Sequence, residues 1–323
     1  MHRYSGIPTA LYFIALLHAA PAFSQPYPSK PVRIVVPSVP GGGTDIAART
    51  LARHLTREWA QQVLVDNRPS PAGNVAAEAV WKAPADGYTL LMTTSAIAIV
   101  PPTSSKLTYD RRELVAVGAI MASPLVLLVH PTLPASSVKD LVALARAQPE
   151  KLTYGHAGSG SAEHVCAELF RHAAGVLVKG TAYKAAMQPG TLTLLPEVQY
   201  AFSEIVHAMP HVKAAHARAL AITTARRYDL MPNVPTVGET LPGFEYPGWQ
   251  ALFARVRVPQ PVLSGIEAGV GKAMQTRELT EELMAQGLQP VAAVTTANAL
   301  RGFLPQELAR WGKLVRELDI RIE

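Results

Sequence analysis

Cysteine is almost missing. The chain of 323 residues has one, Cys166, so it can form neither an internal disulfide nor a thiolate metal cluster. Its neighbours read as helix, and Cys166 is expected to serve as a small buried hydrophobe. Charge is also sparse, at 17 % of residues, and the formal balance of +6 is diffuse: the densest basic cluster is Arg226-Arg227. A nucleic-acid partner would call for a concentrated basic patch, so none is expected and the excess reads as solvated surface. Aromatic residues make up only 7 %. No apolar run approaches the roughly 20 residues that span a bilayer.

What the chain does have is apolar material, 49 % of its residues, enough to build a core. Its length suggests roughly two domains of about 150 residues. The 27 prolines and 22 glycines follow no period, which excludes collagen-like and low-complexity chains. At the start, His2 and Arg3 precede an apolar stretch from Ala10 to Leu17, and Ala22-Phe23-Ser24 precedes Gln25. Small residues at the third-last and last positions suit signal peptidase, so residues 1–24 are expected to be a signal peptide cleaved near Ser24-Gln25. Pro8 and Pro21 interrupt the competing reading as a membrane anchor. The mature protein is then soluble and outside the cytoplasm.

From Val32 the pattern alternates. Val32–Val36 is a β-branched run, and Thr44–Trp59 places Ala48, Leu51, Ala52, Leu55 and Trp59 on one helical face. Strands follow at 63–65, 88–92 and 125–129, with a helix at 74–82. A second series has helices at 138–148 and 162–174 and strands at 152–154 and 219–222; after a Pro- and Gly-rich connection from Pro232 to Pro247 come a strand at 249–256 and helices at 262–275, 277–286 and 298–318. Alternation of this kind predicts α/β architecture with mostly parallel sheets covered by helices.

Two glycine loops stand between a strand and a helix. Pro40-Gly41-Gly42-Gly43-Thr44-Asp45 opens the first helix, and Gly158-Ser159-Gly160-Ser161 opens the Ala162 helix, with Ser161 a good N-cap. Unpaired amides at the positive end of a helix attract anions, and in open sheets ligands gather beyond the carboxyl ends of the strands. A glycine after a strand is as often a turn or cap device, but one such loop in each half points to an anion held in a cleft. Asp45, in the first helical turn, is expected to fold onto the backbone amides.

Other chemistries fit poorly. The first loop lacks the Lys-Ser/Thr of a Walker loop, and three consecutive glycines do not give dinucleotide spacing. Ser159, Ser161, His164 and Glu168 suggest a hydrolase, yet His164 and Glu168 lie one turn apart on one helix and no Gly-x-Ser-x-Gly elbow surrounds Ser159. His207 and His211, flanking Met209-Pro210, read as surface or capping histidines rather than metal ligands. No metal, cofactor or catalytic residue is expected.

The combination of motifs resembles the Bug family, the periplasmic receptors of tripartite tricarboxylate transporters. The resemblance runs through Tyr27-Pro28-Ser29-Lys30-Pro31, Val36-Pro37, the first glycine loop with Ala48-Arg49, Asp66-Asn67-Arg68-Pro69, Ala72-Gly73-Asn74 and Ala85-Asp86-Gly87-Tyr88-Thr89-Leu90-Leu91. It continues in Tyr154, the second glycine loop with His164 and Glu168-Leu169-Phe170, then Tyr183-Lys184, Pro210-His211-Val212-Lys213 and Asn233-Val234-Pro235-Thr236-Val237 to Glu245. It implies a two-lobed, Venus-flytrap, type II-like periplasmic-binding-protein fold. Lobe 1 would comprise residues 25–125 plus 250–323, and lobe 2 residues 126–249. It implies too a monomer that captures a small organic acid by main-chain groups, hydroxyls and waters, and passes it to a two-subunit membrane permease. The candidate ligand-binding set is Ser38, Pro40, Gly41, Gly42, Gly43, Thr44, Asp45, Ser95, Gly158, Ser159, Gly160, Ser161, His164 and Ser203.

Several positions depart from the family. Ser38-Val39 replaces a usual Phe-Pro and removes an aromatic wall, Pro189-Gly190 and Leu192 to Pro196 break a family helix, and Ser203 followed by Glu204 stands where Asp is common. His156 is unusual in the second loop; it reads as solvent-facing, or as a source of cationic character for a more acidic ligand. Two weaker functional readings remain, a two-lobed sensor or scaffold without a transport role and a serine hydrolase.

Overall fold

The computed structural model describes residues 27–70, 73–99, 109–183, 195, 197–291 and 297–317. The signal segment 1–24 and most of the Pro189–Pro196 segment lie outside these residues.

Two sheets organise the chain. The first holds β1 (Val32–Val36), β2 (Val63–Asn67), β3 (Thr89–Thr94), β4 (Leu114–Ala122), β10 (Trp249–Arg255) and β11 (Gln289–Pro290) in the order β11-β4-β10-β3-β1-β2. The second holds β5 (Leu125–Val129), β6 (Thr153–His156), β7 (Lys179–Ala182), β8 (Tyr200–Glu204) and β9 (Arg218–Ile222) in the order β7-β6-β8-β5-β9. This is the expected two-lobed α/β plan. The sheets, however, are mixed rather than mostly parallel. β1 runs parallel to β2 and β3, but β10 is antiparallel to β3 and β4; β6 runs parallel to β7 and β8, but β5 is antiparallel to β8 and β9. The cause is the crossing between sheets. β4 passes into β5 across residues 123–124 with no helical crossover, so β5 and the returning β10 enter their sheets reversed.

The helices follow the apolar spacing. α1 (Gly43–Trp59) buries Ala47, Ala48, Leu51 and Leu55 against Ile34, Val36 and Leu90. Each fully buried leucine contributes roughly 2 kcal/mol, so packing fixes where the first turn of α1 points. α2 (Asn74–Lys82), α3 (Ala96–Ile99), α4 (Val138–Ala147) and α5 (Ala162–Ala174) come next in the chain. Cys166 is fully buried in α5, as its surroundings suggested. α6 (Ile205–Lys213), α7 (Gln260–Met274), α8 (Arg277–Ala285) and α9 (Ala297–Glu317) complete the described set, in which no helix is long and apolar enough to cross a membrane.

The two crossings lie side by side. Ser123 N–H donates to Gly248 C=O at 2.8 Å, and Ser95 N–H donates to Trp249 C=O at 2.9 Å. A methyl group on Gly248 would overlap the Ser123 carbonyl oxygen, so this close approach requires glycine. α9 braces the same place: Trp249 Nε1 and Trp311 Nε1 both donate to Glu307 Oε2, at 2.6 and 3.1 Å, and the Trp249 and Phe303 rings meet at 4.9 Å. The crossings thus form a narrow, packed waist between two lobes, a geometry suited to hinge motion.

Candidate functional site

Above the waist lies a cavity of about 120 Å³, bounded by the start of α1 on one side and the start of α5 on the other. It is walled by Ser38, Gly42, Gly43 and Thr44 from the first lobe's loop and by Ala157, Ser161, Ala162 and Glu163 from the second. Pro69, Ser70 and Gly73, ahead of α2, close one side, while Glu204 and His207 close another. The two glycine loops converge because each follows a strand of its own lobe and both strands end at the cleft.

The first loop is held from behind. Asp45 is 2 % exposed and turns its carboxylate onto the Gly41 N–H at 2.9 Å, while Arg49 Nε and Asn67 Nδ2 donate to it, each at 2.9 Å. Burial alone would raise its pKa, but these donors together hold the carboxyl below the usual range. Asn67 also donates to Ser38 C=O at 2.9 Å, which ties the loop down. Among the described residues, the amides of Gly43, Thr44 and Asp45 meet no acceptor, leaving three donors at the positive end of a 17-residue helix.

The second loop is held by two imidazoles. Gly160 N–H donates to His164 Nδ1 at 3.1 Å and Gly158 N–H donates to His156 Nδ1 at 3.2 Å, and the two rings stack with centroids 4.3 Å apart. Ser161 caps α5 by accepting from His164 N–H at 3.2 Å. Burial and the neighbouring His156 push the His164 pKa down to about 4, and burial lowers that of His156. This corrects both readings of His156: it is 5 % exposed and neutral, so it neither faces solvent nor supplies positive charge. Acting as acceptors, both rings hold the loop's φ-positive glycines in place.

Of the fourteen sequence candidates, Ser38, Gly42, Gly43, Thr44 and Ser161 line the cavity. Pro40, Gly41, Asp45, Gly158, Ser159, Gly160 and His164 shape the two loops without lining it. Ser95 is buried against the Tyr246 hydroxyl at 2.9 Å, and Ser203 is fully buried with its hydroxyl donating to Glu204 C=O at 3.3 Å.

The sequence reading missed the acids and the histidine of the cleft. Glu204 Oε1 accepts from Gln250 Nε2 at 3.3 Å, its Oε2 is 3.6 Å from His207 Nδ1, and its carboxyl packs against Gly43. It therefore joins the end of β8 in one lobe to the start of α1 in the other. Burial, together with the nearby charge of Glu204, pushes the Glu163 pKa up to about 7, and burial pushes Glu204 up to about 7 against the Gln250 hydrogen bond. His207 is not at the surface: its side chain is 9 % exposed, burial lowers its pKa, and the Gly41 backbone and Glu163 act in the opposite sense. α6 carries it inward because Ile205 and Ala208, on the same helix, pack into the second lobe. The signal was the Ser203-Glu204 departure, which marked the place without revealing that Glu204 reaches the other lobe. No lysine or arginine lines the cavity among the described residues.

Elsewhere, His54, Glu278 and Glu282 could offer three ligand atoms within 4.8 Å of one another where α1 meets α8. Arg53 and Arg57 already pair with these carboxylates at 2.6 and 3.2 Å, so the group has its own counter-ions.

Residues 47–320 match the family described as the tripartite tricarboxylate transporter family receptor. Protein BugT of Bordetella pertussis is 33 % identical over 313 residues, covering 94 % of each chain. Among solved structures, R. palustris Rpa4515 with adipate is 30 % identical at a TM-score of 0.81, covering 91 % of this chain and 99 % of its own. MatC from Rhodopseudomonas palustris with bound malate is 26 % identical at a TM-score of 0.79, covering 90 % of this chain and all of its own.

Proposed function

We propose that this chain, which belongs to the tripartite tricarboxylate transporter receptor family, captures a small carboxylate in the cleft between its lobes and presents it to a two-subunit membrane permease. That it is a solute-binding receptor of a periplasmic family, and not an enzyme, follows from the family itself. The carboxylate and the permease belong to the proposal, as do export with cleavage near Ser24-Gln25, the monomeric state and the division into lobes at residues 125–126 and 249–250.

One observation carries the proposal. Two helix starts from opposite lobes line a single cavity that no lysine or arginine enters among the described residues. Donors of this type suit a carboxylate, with the Gly43, Thr44 and Ala162 amides and the Thr44 and Ser161 hydroxyls as the groups that would hold it. The dicarboxylates named for the two R. palustris relatives support the ligand class. Closure of the lobes about the 123–124 and 247–248 crossings would complete the site and create the surface that the permease reads.

The test is a thermal shift against a panel of C3 to C8 mono-, di- and tricarboxylates and amino acids. A ligand at one hundred times its Kd stabilises by about 2.7 kcal/mol, which corresponds to a melting-temperature rise of about 4 °C for a chain of this size. A panel without a hit at millimolar concentration would overturn the reading in favour of a two-lobed sensor or scaffold.

A further inference from the structure

The cleft is unusual in what it sets beside its amide donors. Glu163 and Glu204 both line a cavity that, among the described residues, has no lysine or arginine to balance them. His207, nine-tenths buried, also lines it, with its Nδ1 3.6 Å from Glu204 Oε2. Deeper in, a void of about 10 Å³ adjoins Gly43, Glu204, Gln250 and Gln286, and the buried side-chain carbonyls of Gln250 and Gln286 find no hydrogen-bond partner. The floor of the site is therefore rich in acceptors that await a donor, whereas its two loops are rich in donors that await an acceptor.

We propose that Glu204, with Glu163 beside it, selects ligands bearing a positively charged nitrogen, so that the captured molecule is an ammonium-substituted acid rather than a plain dicarboxylate. This rests on the carboxylate-receptor reading above. The acid group meets the starts of α1 and α5, and the ammonium meets the carboxyl that the end of β8 places against Gly43. A plain dianion would bring a second negative charge into a partly dehydrated cavity that already holds two carboxyls, where like charges repel strongly. An ammonium group supplies both the missing charge and the missing hydrogen-bond donors. Glu204 is a specificity residue here: it does not create the anion site but decides what else the anion must carry.

Calorimetry with three matched pairs tests this directly: aspartate against succinate, glutamate against glutarate, and 4-aminobutyrate against butyrate. The amino member of the best-binding pair should bind at least tenfold tighter. Glu204→Gln, which keeps the side chain's size and can still bond to Gln250, should bring that ratio close to one. A second readout needs no variant. Glu204 is faced by Glu163 of α5, His207 of α6, Gln250 of β10 and the amide end of α1, and none of these is a cation near neutrality. Raising the pH from 6 to 8 should therefore tighten binding of the amino member and weaken binding of its plain counterpart. Equal or tighter binding of the plain acids, a preference that survives in Glu204→Gln, or malate or adipate binding where no amino member does, would overturn the inference alone. If no acid of any kind binds, the carboxylate reading falls first and the inference with it.

Discussion

Gly43→Ala should lower ligand affinity at least about a hundredfold, a loss of about 2.7 kcal/mol, while the protein still folds. A methyl group at this position would overlap Glu204 Oε2 and come within 2.7 Å of its Cδ. The obstacle is the far end of a flexible side chain, so the fold can yield where the site cannot. Glu204 has to swing away from Gly43, and the space open to it is the 120 Å³ cavity that the ligand needs. Gly271→Ala is the matched control, since a methyl group there meets nothing within 4 Å and α7 accepts it without strain. Calorimetry with the strongest hit from the acid panel reads the effect. Unchanged affinity in Gly43→Ala would place the ligand elsewhere.

The second large effect is acid sensitivity of the second loop. His164 and His156 are buried and neutral, and both accept hydrogen bonds from loop amides. In the unfolded chain a histidine takes up a proton near pH 6.5; in the folded protein His164 resists until about pH 4. A lowered histidine pKa means that its share of stability is complete above pH 6.5 and is lost as the pH falls toward 4. With about 1.4 kcal/mol for each pH step of the shift, the loss attributable to His164 is on the order of 3 kcal/mol. Glu163 and Glu204 act in the opposite direction. Their raised pKa values mean that acidification from above pH 7 relieves the cost of burying charge. A wild-type profile therefore mixes the two signs, and comparison with a variant separates them. His164→Gln keeps an acceptor for the Gly160 amide and takes up no proton, so its melting temperature should fall less steeply between pH 6.5 and 4.5. Parallel slopes in the two proteins would show that His164 is not the titrating group. Ligand binding by the folded protein should fail only as the pH falls to about 4, where the His164 ring itself takes up a proton and presents a donor where the Gly160 amide also donates.

Much of the scaffold was legible because local pattern and tertiary role agree. Val32–Val36 is β-branched and buried between two strands, α1 has its apolar face where the spacing put it, and Ser161 caps α5 as a serine before a helix should. What escaped was set by contacts distant in sequence. β4, with its glycine and alanines, is a strand because β10 pairs with it from more than 120 residues away. β8 and α6 follow a segment rich in breaks, so neither stood out, and they carry Glu204 and His207 into the cleft. The direction of β5 and β10 likewise depends on a crossing that leaves no mark on either strand.

In the site, the glycine loops were visible because glycine, serine and threonine before a helix have a local physical meaning. The division of labour within them was not. Glycine spacing does not reveal that His156 and His164 occupy the Gly158 and Gly160 amides, whereas the turning of Asp45 onto the Gly41 amide was expected from its place in the first helical turn. Ser95 and Ser203 are hydroxyls next to the site rather than in it, each one residue away from a side chain that does line the cavity, Thr94 and Glu204. A strand alternates its faces, and a shift of one residue separates the wall of a pocket from the core behind it.

The central claim is that one acid group is gripped at once by helix starts from both lobes. Amide chemical shifts of the ¹⁵N-labelled protein, followed during titration with the strongest acid of the panel, test it most directly. Gly43 to Asp45 and Ser161 to Glu163 should shift together, with the same saturation point. Shifts confined to a single loop, or to neither, would contradict it.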